Sequence, residues 1–295
     1  MTATTHTVTE QARAKINLTL SVLGRRGDGY HELLSLVAFA DAADTLSIDP
    51  SKPPGLIVKG PFASAIDGPN LVTAVLELIA TVAPGLSIGE VTLEKTLPVA
   101  AGIGGGSSDA AALLRAVSAA YPAASGLDWM ALARRLGSDV PVCFNNRATW
   151  MSGAGENLQG LGQPLPRLDA VLVNPRADVP PDKTARVFRA LAAPALAGSG
   201  GCTANALPAI PDRAELLALM RRTGNDLEAP ATAVVPQIEV VLDALEACSG
   251  VEIARLSGAG PTCFAIFADP ATAMSAATEL STAYPNWWVK QAVIG

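Results

Sequence analysis

Residues Pro98-Val-Ala-Ala-Gly102-Ile-Gly-Gly-Gly106-Ser107-Ser108-Asp109-Ala-Ala-Ala-Leu-Leu114 bring backbone freedom, hydroxyl groups and a helical apolar stripe into one stretch. Gly102, Gly104, Gly105 and Gly106 admit positive φ and carry no side chain to hold a ligand away. Ala110, Leu113, Leu114 and Val117 then share one helical face. Ser107 or Ser108 can cap this helix, and Asp109 suits its first turn. A helix that opens straight out of a glycine loop aims unpaired N–H groups and the positive end of its dipole at that loop, which makes a phosphate site. No Gly-Lys-Ser/Thr follows the glycines, so the loop is not a P-loop. No G-x-G-x-x-G occurs, which excludes a dinucleotide-binding dehydrogenase.

Other residues could join that chemistry. Lys15 and Asn17 alternate along a predicted strand and point to one side of it. Tyr30-His31 follows a polar turn ending Asp28-Gly29. Asp139 comes after the helix stop at Gly137, on a turn before Val140-Pro141 that projects a carboxylate inward. A carboxylate there can orient a hydroxyl and accept its proton. Ser257-Gly258-Ala259-Gly260 is a second loop of small residues. Lys95 ends the strand that feeds the glycine loop, where it flanks a nucleotide or simply meets solvent.

Bulk properties narrow the class. The chain has 295 residues, 49% hydrophobic and 16% charged, which is globular rather than disordered. A net charge of −6 argues against a broad nucleic-acid-binding face. An acidic protein that handles phosphates must gather positive groups locally, and glycine loops and helix N-termini do so without raising net charge. Cys143, Cys202, Cys248 and Cys263 are scattered and only His6 and His31 accompany them, so a Cys/His zinc site is not expected. No run approaches the roughly 20 apolar residues of a membrane span, and Met1–Arg13 lacks a signal-peptide core. A cytoplasmic protein with reduced thiols is expected.

The elements that position these residues follow from periodicity and punctuation. Strands are expected at Ala12–Leu23, Glu32–Phe39, Leu46–Ile48, Leu56–Val58 and Val91–Lys95. Helices are expected after Asn70, from the glycine loop to about Tyr121, and from Asp128 to Gly137, followed by a turn and a strand through Trp150. Gly153–Pro166, rich in glycine and proline, suggests a domain boundary. Beyond it come strands at Ala170–Asn174, Val251–Leu256, Cys263–Phe267 and Trp287–Val293, with helices at Lys183–Leu191, Asp212–Arg222, Pro236–Cys248 and Ala271–Ala283. Ala192–Ala206 reads as a mobile surface loop. The mixture lacks strict β-α alternation, which favours α+β layers.

Five motifs occur in order: Ala14-Lys15-Ile16-Asn17-Leu18; Asp28-Gly29-Tyr30-His31; the glycine stretch; Gly137-Ser138-Asp139-Val140-Pro141; and Ser257-Gly258-Ala259-Gly260-Pro261-Thr262-Cys263. The glycine stretch resembles the ATP-binding motif of the GHMP kinases. The five together, from about Ala12 to Phe267, resemble the branch of that family acting on a cytidine diphosphate-linked methylerythritol in the non-mevalonate route to isoprenoid precursors.

The resemblance implies a GHMP kinase fold: two α+β domains, 1–155 binding ATP and 156–295 C-terminal, with the active-site cleft between them. It implies ATP-dependent phosphorylation of the 2-hydroxyl of the substrate, with Mg²⁺ bridging nucleotide phosphates. Pro98, Ala100, Gly102, Gly104, Gly105, Gly106, Ser107 and Ser108 would wrap the triphosphate. Gly258 and Gly260 would close on it, and Asn70 would contribute to the adenine pocket. Lys15 and Asp139 would be catalytic, Asp139 also touching the acceptor. Asn17, Tyr30, His31 and Phe188 would bind the substrate, although Phe188 sits at a slightly different spacing from the family pattern. The other expectations are a monomer or weak homodimer with no nucleic-acid or membrane partner. The alternatives are a homoserine- or mevalonate-type GHMP kinase, which would not require Tyr30-His31, or a GHMP-fold sensor, which would not require Lys15 with Asp139.

Overall fold

The computed structural model describes residues 6–66, 68, 70–124, 126–196, 207–210 and 212–295. Cys202 and residues 197–206 of the expected Ala192–Ala206 loop lie outside these. The chain forms two compact units that interleave along the sequence.

The first unit comprises Met1–Ala14, Ala42–Val99 and Gly104–Asn146. It holds most of β1 (Val8–Asn17) and the last residues of β3 (His31–Asp49), which pair with each other. Thr45–Asp49 of β3 runs antiparallel to β5 (Glu90–Glu94), which is parallel to β4 (Gly55–Lys59). Val91 and Leu93 are buried while their neighbours are half exposed, the period-2 pattern of a sheet with one covered face. Four helices follow: α1 (Leu71–Val82), α2 (Gly105–Ala120), α3 (Trp129–Leu136) and α4 (Val140–Asn145). The helix from the glycine loop, α2, touches the other three, and its Ala110–Leu114, Ala116 and Val117 are all buried. A helix apolar nearly all round belongs at the centre of a bundle.

The second unit comprises Lys15–Asp41, Ala100–Ile103 and Arg147–Gly295. Residues Leu33–Val37 of β3 pair with β6 (Thr149–Gly153), which forms a hairpin with β7 (Asn157–Gly160), and β2 (Ser21–Arg25) pairs with β3 as well. An antiparallel sheet runs β11 (Trp288–Ile294), β8 (Leu168–Asn174), β10 (Cys263–Phe267), β9 (Val251–Leu256). Over it pack α7 (Glu228–Val234), α8 (Gln237–Glu246) and α9 (Pro270–Ala283), burying Val171, Val173, Ile238, Val241, Leu256 and Phe267 in one core. Two further helices are α5 (Lys183–Leu191) and α6 (Arg213–Thr223).

Most expected elements are present, with corrections. Glu32–Phe39 and Leu46–Ile48 are not separate strands but parts of the 19-residue β3. The intervening Ala40–Thr45 is poor in β-formers, yet its two aspartates are held by backbone N–H groups. Asp44 accepts from Thr96 and Leu97 at 2.5 and 2.7 Å, and Asp41 accepts from Val293 at 2.8 Å. Tertiary pairing overrides propensity here. Likewise β7 and α7 were not expected, and Val140–Asn145 is helical where a turn leading to a strand was read.

Candidate active site

The glycine loop is defined by what happens to its carbonyls. In the second unit, four consecutive carbonyl oxygens each meet a donor. Ala100 O lies 3.4 Å from Lys183 Nζ, and Ala101 O accepts from Thr262 N at 3.0 Å. Gly102 O accepts from Ser257 Oγ at 3.3 Å, and Ile103 O from Lys15 N at 2.9 Å. The N–H groups of Ala100–Ile103 meet no protein acceptor among the described residues. Because every carbonyl is turned into the protein, the donors are left for a ligand. Buried Ala101 and Ile103 anchor the segment.

Left-handed backbone recurs at alternate residues, with φ of 54° at Ala100, 77° at Gly102 and 64° at Gly104. Such concave runs of N–H groups favour anions. Gly104, in the first unit, is the N-cap of α2, so neither Ser107 nor Ser108 is the cap. Both serines lie in the helix itself. Ser108 is buried, with its Oγ donating to Arg13 O at 2.7 Å and 3.3 Å from Cys143 Sγ.

Asp109 does not serve the first turn as a dipole partner either. It is buried and pairs with Lys95 at 2.7 Å, and Lys95 also pairs with buried Asp44. Lys95 is therefore not a solvated strand end. A Cβ on Gly105 would lie 3.3 Å from its Nζ, so the ammonium sits beneath the first turn of α2. Burial foremost pushes the Asp109 pKa up to about 7; Lys95 opposes that rise and Asp44 adds to it. The pKa of Lys95 rises because the attraction of the two carboxylates outweighs its own desolvation. Sequence reading missed this triad, which no local pattern announces.

The closing loop Ser257–Gly260 is the β9–β10 hairpin connection, in the second unit. Asn225 braces it: its Nδ2 donates to Leu256 O and Gly258 O, both at 2.9 Å, while its Oδ1 accepts from Leu227 N. Asn174 Nδ2 donates to Thr262 Oγ1 at 2.8 Å. Gly258 lies beside Gly102 O and Asn17 Oδ1, where an added Cβ would stand 3.1 and 3.2 Å away.

Also in the second unit, Lys15 and Asn17 are buried on β1. Asn17 Nδ2 donates to Ser35 Oγ at 2.8 Å, while its buried Oδ1 accepts no hydrogen bond from the described residues. Tyr30 is 63% exposed, and His31 stacks on Phe188 with ring centroids 4.6 Å apart. Desolvation, aided by Arg25, lowers the His31 pKa, so its ring is neutral at neutral pH.

In the first unit, Pro98 is buried at the loop entrance. Asn70 is the N-cap of α1, its Oδ1 accepting from Val72 N and Thr73 N at 2.9 and 3.2 Å. Half-buried Asp139 occupies the N-cap position of α4 without using its carboxylate as a cap. Among the described residues no group of three or more His, Cys, Asp or Glu could hold a metal ion, and Ser108 Oγ is spent on Arg13.

Comparison with known proteins places the chain. Family models for the GHMP kinases N terminal domain and the GHMP kinases C terminal match residues 70–147 and 206–286. The chain is 48% identical to 4-diphosphocytidyl-2-C-methyl-D-erythritol kinase of Rhodopseudomonas palustris (strain BisA53), over 98% of both chains. It is similar to a crystal structure of 4-(cytidine 5'-diphospho)-2C-methyl-D-erythritol kinase, with TM-score 0.75, 36% identity, and 97% and 99% of the two chains covered. Homoserine kinase from Cytophaga hutchinsonii shares the fold at TM-score 0.64 and 15% identity, covering 99% of this chain and 96% of its own. The chain belongs to the 4-diphosphocytidyl-2-C-methyl-D-erythritol kinases, ATP-dependent small-molecule kinases of GHMP kinase fold.

Proposed function

We propose that the chain transfers the γ-phosphoryl group of ATP to the 2-hydroxyl of 4-diphosphocytidyl-2-C-methyl-D-erythritol. The observation that carries this reading is the loop Ala100–Ile103, where each carbonyl oxygen meets a donor inside the protein and no N–H is bonded to an acceptor among the described residues, an arrangement that suits an anion. Gly104–Ser108 would extend the same donor row into the start of α2, and Gly258 and Gly260 would close on the phosphates. Asn70, whose side-chain oxygen is occupied by the helix cap, would contribute its amide nitrogen to the adenine end.

In the transfer, the acceptor oxygen bonds to the γ-phosphorus as the bond from that phosphorus to the β–γ bridging oxygen breaks. Asp139 takes the hydroxyl proton, and ADP carries away the electron pair of the broken bond. Lys15 offsets the negative charge developing on the transferred group. A tertiary hydroxyl is a crowded nucleophile, so alignment supplies much of the rate. The unmatched Asn17 Oδ1 suits a hydroxyl of the erythritol chain, and Tyr30, His31 and Phe188 suit the cytosine. Mg²⁺, arriving with ATP, would offset part of the charge of the nucleotide phosphates. The reading includes action in the cytoplasm, and ATP and the small molecule as the partners.

The test is ATP-dependent turnover of the cytidyl substrate beside mevalonate and homoserine. Turnover of the cytidyl compound alone supports the reading. Turnover of either control instead removes the cytidine role of Tyr30, His31 and Phe188, and binding of ATP with no turnover of any of the three favours a sensor.

A further inference from the structure

Lys183 lies outside the five sequence motifs. It is buried at the start of α5, 5% exposed. Its Nζ donates to the carbonyl oxygen of Gly260 and lies 3.4 Å from that of Ala100, so one amine spans the closing loop and the glycine loop within a single unit.

No carboxylate among the described residues neutralises it. Adjacent Asp182 is engaged by Arg186 and Arg189. From α7, which packs on α5, Glu228 accepts from Leu256 N and lies 3.9 Å from Arg255. Neither loop that Lys183 touches carries a titratable side chain. Burial alone pulls its pKa down to about 8. Carbonyl oxygens satisfy the N–H bonds of an ammonium but do not cancel its charge, and a buried cation without a counterion is costly.

We propose that Lys183 is a positioning residue that ties the glycine loop to the closing loop and supplies a fixed counter-charge for the nucleotide phosphates they hold. This rests on the reading that those loops bind ATP. The depressed affinity of the free amine for its proton is then restored when the anion arrives, so ATP binding draws a proton from solvent.

Titration calorimetry of ATP into the full chain at pH about 8, in two buffers of different ionisation heat, measures that proton. At a pH equal to the pKa of the free amine, the wild type takes up about half a proton per ATP. Lys183→Met loses the uptake and binds ATP about tenfold more weakly or worse. Lys183→Arg, charged at any such pH, keeps most of the affinity without the uptake. Methionine relieves a buried unpaired charge, so the melting temperature of Lys183→Met does not fall; were that variant to misfold, Lys183→Arg still reports the proton. Wild-type affinity and uptake in Lys183→Met overturn the proposal while leaving the kinase reading intact, as does weakened binding with uptake unchanged. Failure of the wild type to bind ATP removes both.

Discussion

A Cβ built on Gly102 would stand 2.6 Å from the carbonyl oxygen of Gly260. The glycine loop and the closing loop approach so closely there that one hydrogen is all the position tolerates, and the φ of 77° at Gly102 disfavours a side chain independently. Gly102→Ala is expected to cost about 2 kcal/mol or more, divided between folding and ATP binding. Gly106 differs: its nearest neighbour for a Cβ is Leu71 Cδ1, 3.8 Å away. Gly106→Ala should melt at or above the wild-type temperature, since alanine favours the helix, while binding ATP more weakly if, as proposed, the first turn of α2 meets the phosphates. Melting curves and ATP titrations of the two variants check both outcomes; equal melting temperatures would contradict the packing argument.

Asp109 gives a pH dependence of stability. Its folded pKa, about 7, lies above the usual carboxylate range, with burial as the main cause. A group raised in this way contributes fully below its unfolded pKa and loses the contribution as pH rises through its folded value. Between pH about 4 and 7 the wild type should lose stability from this source. Asp109→Asn should lack that part of the slope while keeping an acceptor for Lys95. Thermal melts across the window decide the matter, and parallel curves for the two proteins would count against it.

The glycine loop, the helix it opens and the closing loop were legible because each is a local signal: glycines for a close approach, a 3.6 period for α2, a hairpin between two apolar strands. The resemblance added Asp139, Lys15 and the aromatic end. What was not legible depends on distance along the chain. Lys95 finds Asp44 51 residues away and Asp109 14 residues away, and Lys183 finds Gly260 77 residues away. The continuity of β3 through Ala40–Thr45 likewise comes from N–H groups of Thr96, Leu97 and Val293, which no window of β-propensity contains. The serines misled because they are good caps, yet a left-handed Gly104 already turns the chain into the helix.

Asn225 should act at a distance from any ligand. Asn225→Ala leaves Leu256 O and Gly258 O without their donor and Leu227 N without its acceptor. A loss of about 2–4 kcal/mol in unfolding free energy is expected from groups left unmatched, with a raised KM for ATP as the closing loop loosens. Denaturant unfolding and steady-state kinetics test the pair of effects together; a stable variant with unchanged KM would refute the supporting role.

Phe188 should matter to one substrate only. Removing the ring that stacks on His31 by Phe188→Ala is expected to raise KM for the cytidyl substrate about 5- to 30-fold, the equivalent of about 1–2 kcal/mol of stacking, and to leave KM for ATP unchanged. An equal rise for both would show a general disturbance of the fold instead.

Transfer from ATP to the 2-hydroxyl, with Asp139 taking the proton, is tested by ³¹P NMR of the reaction of 4-diphosphocytidyl-2-C-methyl-D-erythritol with ATP, wild type beside Asp139→Asn, with ATP binding measured on both. A new phosphomonoester at the 2-position is expected, formed about 10²- to 10⁴-fold more slowly by the variant although ATP binds equally well. Phosphorylation elsewhere on the substrate, or an Asp139→Asn protein as fast as the wild type, would contradict it.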